Sequence, residues 1–370
     1  MTIQFIYCRN KSFKKFLSKR NQMCAQKNSF APNLKTPTYR KITTSRIYKD
    51  VNSKLNSNED PFENYEIEYD DIERFELITP IGSGKYSVVF LGRYDGENSC
   101  AVKTLRNVPF VKIQREVCIH RQVASLPNVI SLVGVVKDPL TSTISLITKY
   151  QKSENPRVLF SRMDIDDIRV LMFKLLRSLD ACAKCGIMHR DVKPGNVLIS
   201  PNRRELELID WGLADYYFPE KPYTTHVSTM RYKAPELLMN YQYYDYGVDV
   251  WGAGCVMAEM LVKFPFFEGR NLDEMVVQVA NVCGTSAITQ YAEKYGLNIS
   301  SQVSALLPSI SSPGWQRTLH SIKPQKMDED AISLMKKLLI VDHEERITAA
   351  EALKEPFFDS IRDEMMREKQ

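Results

Sequence analysis

His189-Arg190-Asp191-Val192-Lys193-Pro194-Gly195-Asn196 decides how the rest of the chain is read. Its six specified positions in H-R-D-x-K-P-x-N would arise by chance in 370 residues with a probability on the order of 10⁻⁵. Downstream, Asp210-Trp211-Gly212 follows the strand-like Leu206–Ile209. Ala234-Pro235-Glu236 begins twenty-two residues after Gly212, and Asp249-Val250-Trp251 and Arg346 come next.

Upstream, Ile81-Gly82-Ser83-Gly84-Lys85-Tyr86-Ser87-Val88-Val89 lies between two β-type runs. Glycines at a tight strand turn let backbone N–H groups come close to phosphates. A P-loop is excluded, because it needs Ser or Thr after the lysine and Gly five residues before the second glycine. Those positions are Tyr86 and Thr79. Alone, the segment reads equally as a hairpin turn or a nucleotide loop. Cys100-Ala101-Val102-Lys103 ends an apolar strand on a lysine, which alone is most often a snorkelling edge residue. Glu116 follows thirteen residues later on a predicted helix, where a carboxylate can hold Lys103 against α- and β-phosphates.

Phe75–Ile81, Ser87–Tyr94, Ser99–Leu105, Val129–Lys137 and Thr143–Tyr150 read as short strands, with a helix over Lys112–Val123. Beyond Asp164 the apolar spacing turns helical. The predicted helices are Ile168–Cys185, Val248–Lys263, Leu272–Cys283, Asp328–Leu339 and Ala349–Lys354. Strands followed by helices, without alternation, argue for two lobes of different class.

Charge is unevenly placed. Residues 1–44 hold ten Lys and Arg and no acid, residues 45–74 carry a net −5, and residues 75–370 are neutral. A uniformly basic nucleic-acid binder is thereby excluded. Residues 1–44 read as a basic, disordered arm, with an organelle transit peptide as the alternative. No apolar run reaches the roughly 18 residues of a membrane span. The eight cysteines are scattered, and Cys182 and Cys185 without a second pair are poor evidence for zinc; free thiols are expected.

In order and spacing, the motifs resemble the eukaryotic protein kinase signature set over about residues 75–358. That resemblance implies an α+β, two-lobed protein kinase fold. A small five-stranded β-rich N-lobe with one main helix (about 75–147) is joined by a hinge (about 148–153) to a larger, mainly helical C-lobe (about 154–358), with ATP in the cleft. Asp191 would be the catalytic residue that orients the substrate hydroxyl, and Lys193 would neutralise charge on the γ-phosphate. Asn196 and Asp210 would supply hard oxygens to Mg²⁺. The nucleotide would be bound by Ile81, Gly82, Ser83, Gly84, Lys85, Tyr86, Ser87, Val88, Val89, Ala101, Lys103, Glu116, Thr148, Leu198 and Ile209. Glu236 and Arg346 would form a buried ion pair, and His189 would be structural. A lysine two residues after Asp191 resembles the Ser/Thr-directed branch.

Trp211 within the D-x-G triplet, Ser87 in place of the third loop glycine, and Ser45-Arg46-Ile47-Tyr48-Lys49-Asp50-Val51-Asn52 narrow the likeness. With Asn64-Tyr65-Glu66, Gly186-Ile187-Met188, Pro265-Phe266-Phe267 and Asp342–Arg346, they resemble the casein kinase II catalytic (alpha) subunit family over about residues 45–358. This implies a Ser/Thr kinase active without activation-loop phosphorylation, found in nucleus and cytoplasm. Its acidic extension (45–74) would pack on the activation segment, ahead of a charged tail at 359–370. A β regulatory subunit would dock on the N-lobe's outer face at Leu77 and Phe90, with neither nucleic acid nor membrane as partner. Three positions depart from that family. Pro109-Phe110-Val111-Lys112 stands where a lysine run reads acidic substrates. His226 and Met230 replace two activation-segment arginines, while Lys233 is kept. Thr148 stands where a bulky hinge residue is usual, which implies a deeper adenine pocket and puts GTP use in question. Acidic sites should therefore be preferred only moderately. Two rivals remain: a kinase gated by phosphorylation of Thr224, Thr225, Ser228 or Thr229 through Arg190, and a non-catalytic scaffold.

Overall fold

The computed structural model describes residues 39–55, 61–262, 264–307, 314–320 and 322–367. Most of the basic arm, residues 1–38, lies outside the described residues, as do the last three residues of the tail. The described chain falls into two compact units. Ile67–Pro109 with Leu132–Tyr150 form one, and Tyr39–Glu66, Phe110–Ser131 and the chain from Gln151 form the other.

The first unit is an antiparallel sheet of β1 (Phe75–Ser83), β2 (Ser87–Tyr94), β3 (Asn98–Leu105), β4 (Leu132–Lys137) and β5 (Ile144–Lys149), in the order β1-β2-β3-β5-β4. Side chains alternate between its faces. Val88, Phe90, Cys100 and Val102 are buried with Phe75, Leu77, Val136 and Ile147 in one apolar cluster. The opposite face therefore carries Val89, Ala101, Lys103 and Thr148. Val89 pairs across the sheet with Lys103, and Ala101 with Thr148. Leu77 and Phe90 lie in that cluster, 8% and 6% exposed.

In the second unit, α1 (Phe110–Val123) buries Ile119 and Val123 in the large core, and Gln114 donates to the Glu63 and Tyr65 carbonyls. These contacts tie the helix to residues of this body. Val129 and Ile130, predicted to begin β4, are drawn here as well: Ile130 N–H donates to Leu208 O at 3.1 Å. Next come α2 (Pro156–Arg162) and α3 (Ile165–Lys184), then β6 (Ile187–Met188), β7 (Val197–Ile199), β8 (Leu206–Leu208) and β9 (Asp215–Tyr216). α3 starts three residues before its predicted start, because Asp164 and Asp167 form a capping box. The helices α4 (Pro235–Leu238), α5 (Gly247–Leu261), α6 (Leu272–Cys283), α7 (Thr285–Tyr295), α8 (Ser301–Leu306), α9 (Gly314–Leu319), α10 (Glu329–Leu338), α11 (Ala349–Ala352) and α12 (Arg362–Arg367) complete it. α5 is buried on every side, as an apolar helix at the centre of a core must be. α12 turns part of the expected tail into packed structure, with Met365 buried and its carbonyl bonded to Arg177.

Order begins before residue 45. Tyr39 sets its ring edge-on to Tyr241 at 5.1 Å and donates to Asn240 O at 2.8 Å. Arg40 N–H donates to Tyr295 O, and Thr43 Oγ1 to Tyr243 O. A cluster of tyrosines, each with an apolar face and a polar tip, captures residues that composition alone assigned to the arm. The six cysteines among the described residues are free thiols. No helix among these residues is long and apolar enough to cross a membrane.

Candidate active site

The loop between β6 and β7 is fixed from below by Asp249 on α5. Its two carboxylate oxygens accept the backbone N–H groups of His189 and Arg190, each at 2.7 Å. Burial raises the Asp249 pKa, and these bonds with the nearby cations oppose it. His189 is fully buried, bridges Ile209 O through Nε2, and accepts from Asp191 N–H at Nδ1. Both ring nitrogens are engaged in holding the loop, so His189 is structural.

Asp191 is the hub. Its Oδ2 accepts from Lys193 Nζ at 2.6 Å and Asn196 Nδ2 at 3.1 Å, and its Oδ1 from the N–H and hydroxyl of Thr229 at 2.8 and 3.0 Å. Lys193 Nζ also reaches Thr229 Oγ1 at 2.7 Å. Asp191 and Lys193 are thus brought together, and Asn196 directs its amide nitrogen to Asp191, leaving its oxygen as the end suited to a cation. Thr229 was read from sequence only as a possible phosphosite; its position ahead of Tyr232-Lys233-Ala234-Pro235-Glu236 was the available signal.

Asp210 holds a left-handed backbone, φ 69°, and caps the turn Trp211–Leu213. A Cβ on Gly212 would lie 3.2 Å from Glu116 Oε2 and 3.4 Å from Asp210 Oδ1, so glycine lets these two carboxylates crowd the turn. Trp211 is buried against His189, ring centroids 4.8 Å apart, which ties the triplet to the catalytic loop. Leu198 on β7 and Ile209 after β8 belong to this unit, and Ile209 N–H donates to Asn196 O at 2.9 Å.

In the first unit, β1 and β2 extend to Ser83 and Ser87, so the turn proper is Gly84-Lys85-Tyr86, closed by Gly84 N–H to Ser87 O at 2.9 Å. Ile81 and Tyr86 are exposed. Neither Gly82 nor Gly84 has a positive φ, and a Cβ on either would meet nothing nearer than 3.7 Å. The hairpin itself therefore does not require glycine at these positions, which favours close approach of a ligand over a turn requirement. Val89, Ala101, Lys103 and Thr148 share the sheet face described above.

A family model described as a protein kinase domain matches residues 75–358, and the chain belongs to that family. Its activity is transfer of a phosphoryl group from ATP to protein, typically with Mg²⁺. The oxygen donors Asn196 and Asp210 fit such an ion, which when bound neutralises charge on the phosphates.

Two basic side chains beside the loop are committed to partners within the protein. Lys233 is buried with Nζ donating to Thr225 O at 2.9 Å and to Val227 O; burial lowers its pKa. Through these two carbonyls it braces the activation segment. Arg190 is also committed. It reaches Asp215 at 2.9 Å, Leu213 O at 2.7 Å and Tyr244 Oη at 3.3 Å, with its side chain 2% exposed.

Glu259 on α5 supports the same segment, accepting from Tyr232 Oη at 3.3 Å and Phe266 N–H at 3.1 Å. Burial pushes its pKa up to about 7 from 4.5. A carboxyl raised in the folded state contributes stability below its unfolded pKa, and that contribution is lost as pH rises through the folded value. Glu259→Gln is expected to be more stable than wild type by ~2 kcal/mol at pH 8, with the gap closing by pH 5. Urea melts at both pH values measure this; a gap that widened towards pH 5 would contradict the sign.

Proposed function

We propose that the chain is a serine/threonine kinase of the casein kinase II type, active without activation-loop phosphorylation and with a moderate preference for acidic sites. The Asp191–Lys193–Thr229 cluster carries the Ser/Thr reading: the base is already aimed and its lysine already neutralises it. Constitutive activity is supported by Arg190, whose guanidinium has carboxylate, carbonyl and hydroxyl partners and presents no free edge to a phosphate. The extension supplies what a phosphate would otherwise do. Ser45 N–H donates to Tyr217 Oη at 2.7 Å, Asn52 Nδ2 to Gly186 O and Tyr217 O at 2.8 and 3.0 Å, and Phe62 stacks on Tyr216 at 4.8 Å. Gly186, φ 71°, is needed there, since a Cβ would sit 2.4 Å from Asn52 Nδ2.

A β-type regulatory subunit and residence in nucleus and cytoplasm belong to the same reading. The positions that the resemblance gives for such a subunit, Leu77 and Phe90, lie together in one apolar cluster of the sheet. Protein made in bacteria and verified unphosphorylated by mass spectrometry is expected to phosphorylate Ser and Thr peptides at its full rate. Activity appearing only after phosphorylation of Thr224, Thr225, Ser228 or Thr229 would favour the gated alternative.

A further inference from the structure

Between Asp210 and Glu236 the lysines and arginines are Lys221, Arg231 and Lys233. Lys221 lies over the Phe218 ring at 4.7 Å and near the Tyr223 ring at 5.9 Å, and Lys233 is turned inward onto carbonyls. Arg231 is different. Its side chain is 44% exposed, and among the described residues its one ion-pair partner is Glu268, itself 69% exposed, at 3.2 Å through a single contact. A loose pair between exposed side chains is weak and readily exchanged for another carboxylate.

Arg231 also sits in the right place. It is in the short turn Met230–Tyr232, whose cap is Thr229, the residue that binds Asp191 through both N–H and hydroxyl. Two residues span at most about 7 Å of chain. An extended peptide advances about 3.3 Å per residue, so the guanidinium covers roughly the three residues next to an acceptor hydroxyl held at Asp191.

We infer that Arg231 is the residue that selects an acidic side chain near the phosphoacceptor, and that Glu268 occupies the same carboxylate position until a substrate carboxylate displaces it. This rests on the proposed acid-directed Ser/Thr reading and names the group that carries it. Recognition shifts from the expected lysine run and Lys233 to a cation that the motif pattern did not single out. Glu268 acts as an internal competitor, so selectivity is moderate because part of the attraction is already satisfied.

The test uses the full chain and two peptides that differ only in Asp or Ala, placed in turn at each of the three positions on either side of one Ser. The readout is the ratio of kcat/KM for the Asp and Ala peptides. Arg231→Gln is expected to lower that ratio about fivefold at one position, with Arg231→Lys between it and wild type. Glu268→Gln is expected to raise it about two- to threefold while leaving the Ala peptide unchanged. Both shifts should shrink in 1 M salt, where the screening length falls to about 3 Å. A wild-type ratio near one at every position would sink the acid-directed reading itself. A wild-type ratio well above one that neither variant moves would overturn the assignment to Arg231 alone.

Discussion

Replacing Asp191 by Asn is expected to lower kcat on a protein substrate by about 10²–10⁴-fold, the usual contribution of a positioned proton acceptor. The carboxylate collects four hydrogen bonds, two on each oxygen. An amide oxygen can keep the two from Thr229. Its NH₂ group would then face two donors, Lys193 Nζ and Asn196 Nδ2, where Oδ2 now accepts at 2.6 and 3.1 Å. Lys193 loses its counter-charge and the cluster loosens, but the loop's main anchors on Asp249 are untouched. The variant should therefore fold, and Mg·ATP should still raise its melting temperature, since a ligand that binds only the native state stabilises it. Single-turnover kinetics and a thermal-shift titration check the two halves. Full activity would show that Asp191 is not the base. A melting temperature that Mg·ATP does not move, in the wild type as well, would support the scaffold alternative.

Much of this architecture was legible in the chain because its signals are local. β2 and α6 begin and end at their predicted residues, since one alternates cleanly and the other runs from Asn271 as cap to Gly284. α7 was missed although Ile288, Tyr291, Ala292 and Tyr295 keep helical spacing. Ile288 is the only large aliphatic residue of the four, so the apolar spacing there is weakly marked. The catalytic loop was legible because its roles follow from residue type at fixed spacing, and Asp191, Lys193 and Asn196 do meet. Side-chain direction was not legible. Lys233 and Arg231 are two residues apart in one segment, yet one is buried on carbonyls and the other faces solvent. Periodicity gives no rule for a turn of this kind. The sheet shows the same limit, because residue type and strand order do not say how far Leu77 and Phe90 are buried.

The largest expected loss of stability comes from Glu236→Gln. Glu236 and Arg346 meet in a bidentate pair at 2.8 and 2.9 Å, with both side chains fully buried. The guanidinium's remaining donors go to the Ile340, Gly247 and Val341 carbonyls, so each of its N–H groups has an acceptor, and it lies 5.1 Å over the Trp251 ring. Burial lowers the Arg346 pKa and Glu236 more than offsets it, leaving the group charged. Taking away the carboxylate's charge while keeping its shape strands a cation where water cannot reach it, at a cost of about 3–5 kcal/mol. Against a total stability of roughly 5–15 kcal/mol, that is a large fraction. Arg346→Met removes the other partner and should cost a similar amount, for it orphans three carbonyls and a carboxylate. The double variant Glu236→Leu with Arg346→Met should cost less than the sum, because neither leaves the other's charge behind. Activity should fail before the fold does. Glu236 stands on α4 at the end of the activation segment, directly beyond Thr229 and Lys233, so releasing it frees the segment that holds Asp191 in register. Kinase activity of Glu236→Gln is therefore expected to be lost at a lower temperature than its circular dichroism signal, whereas the wild type should lose both together.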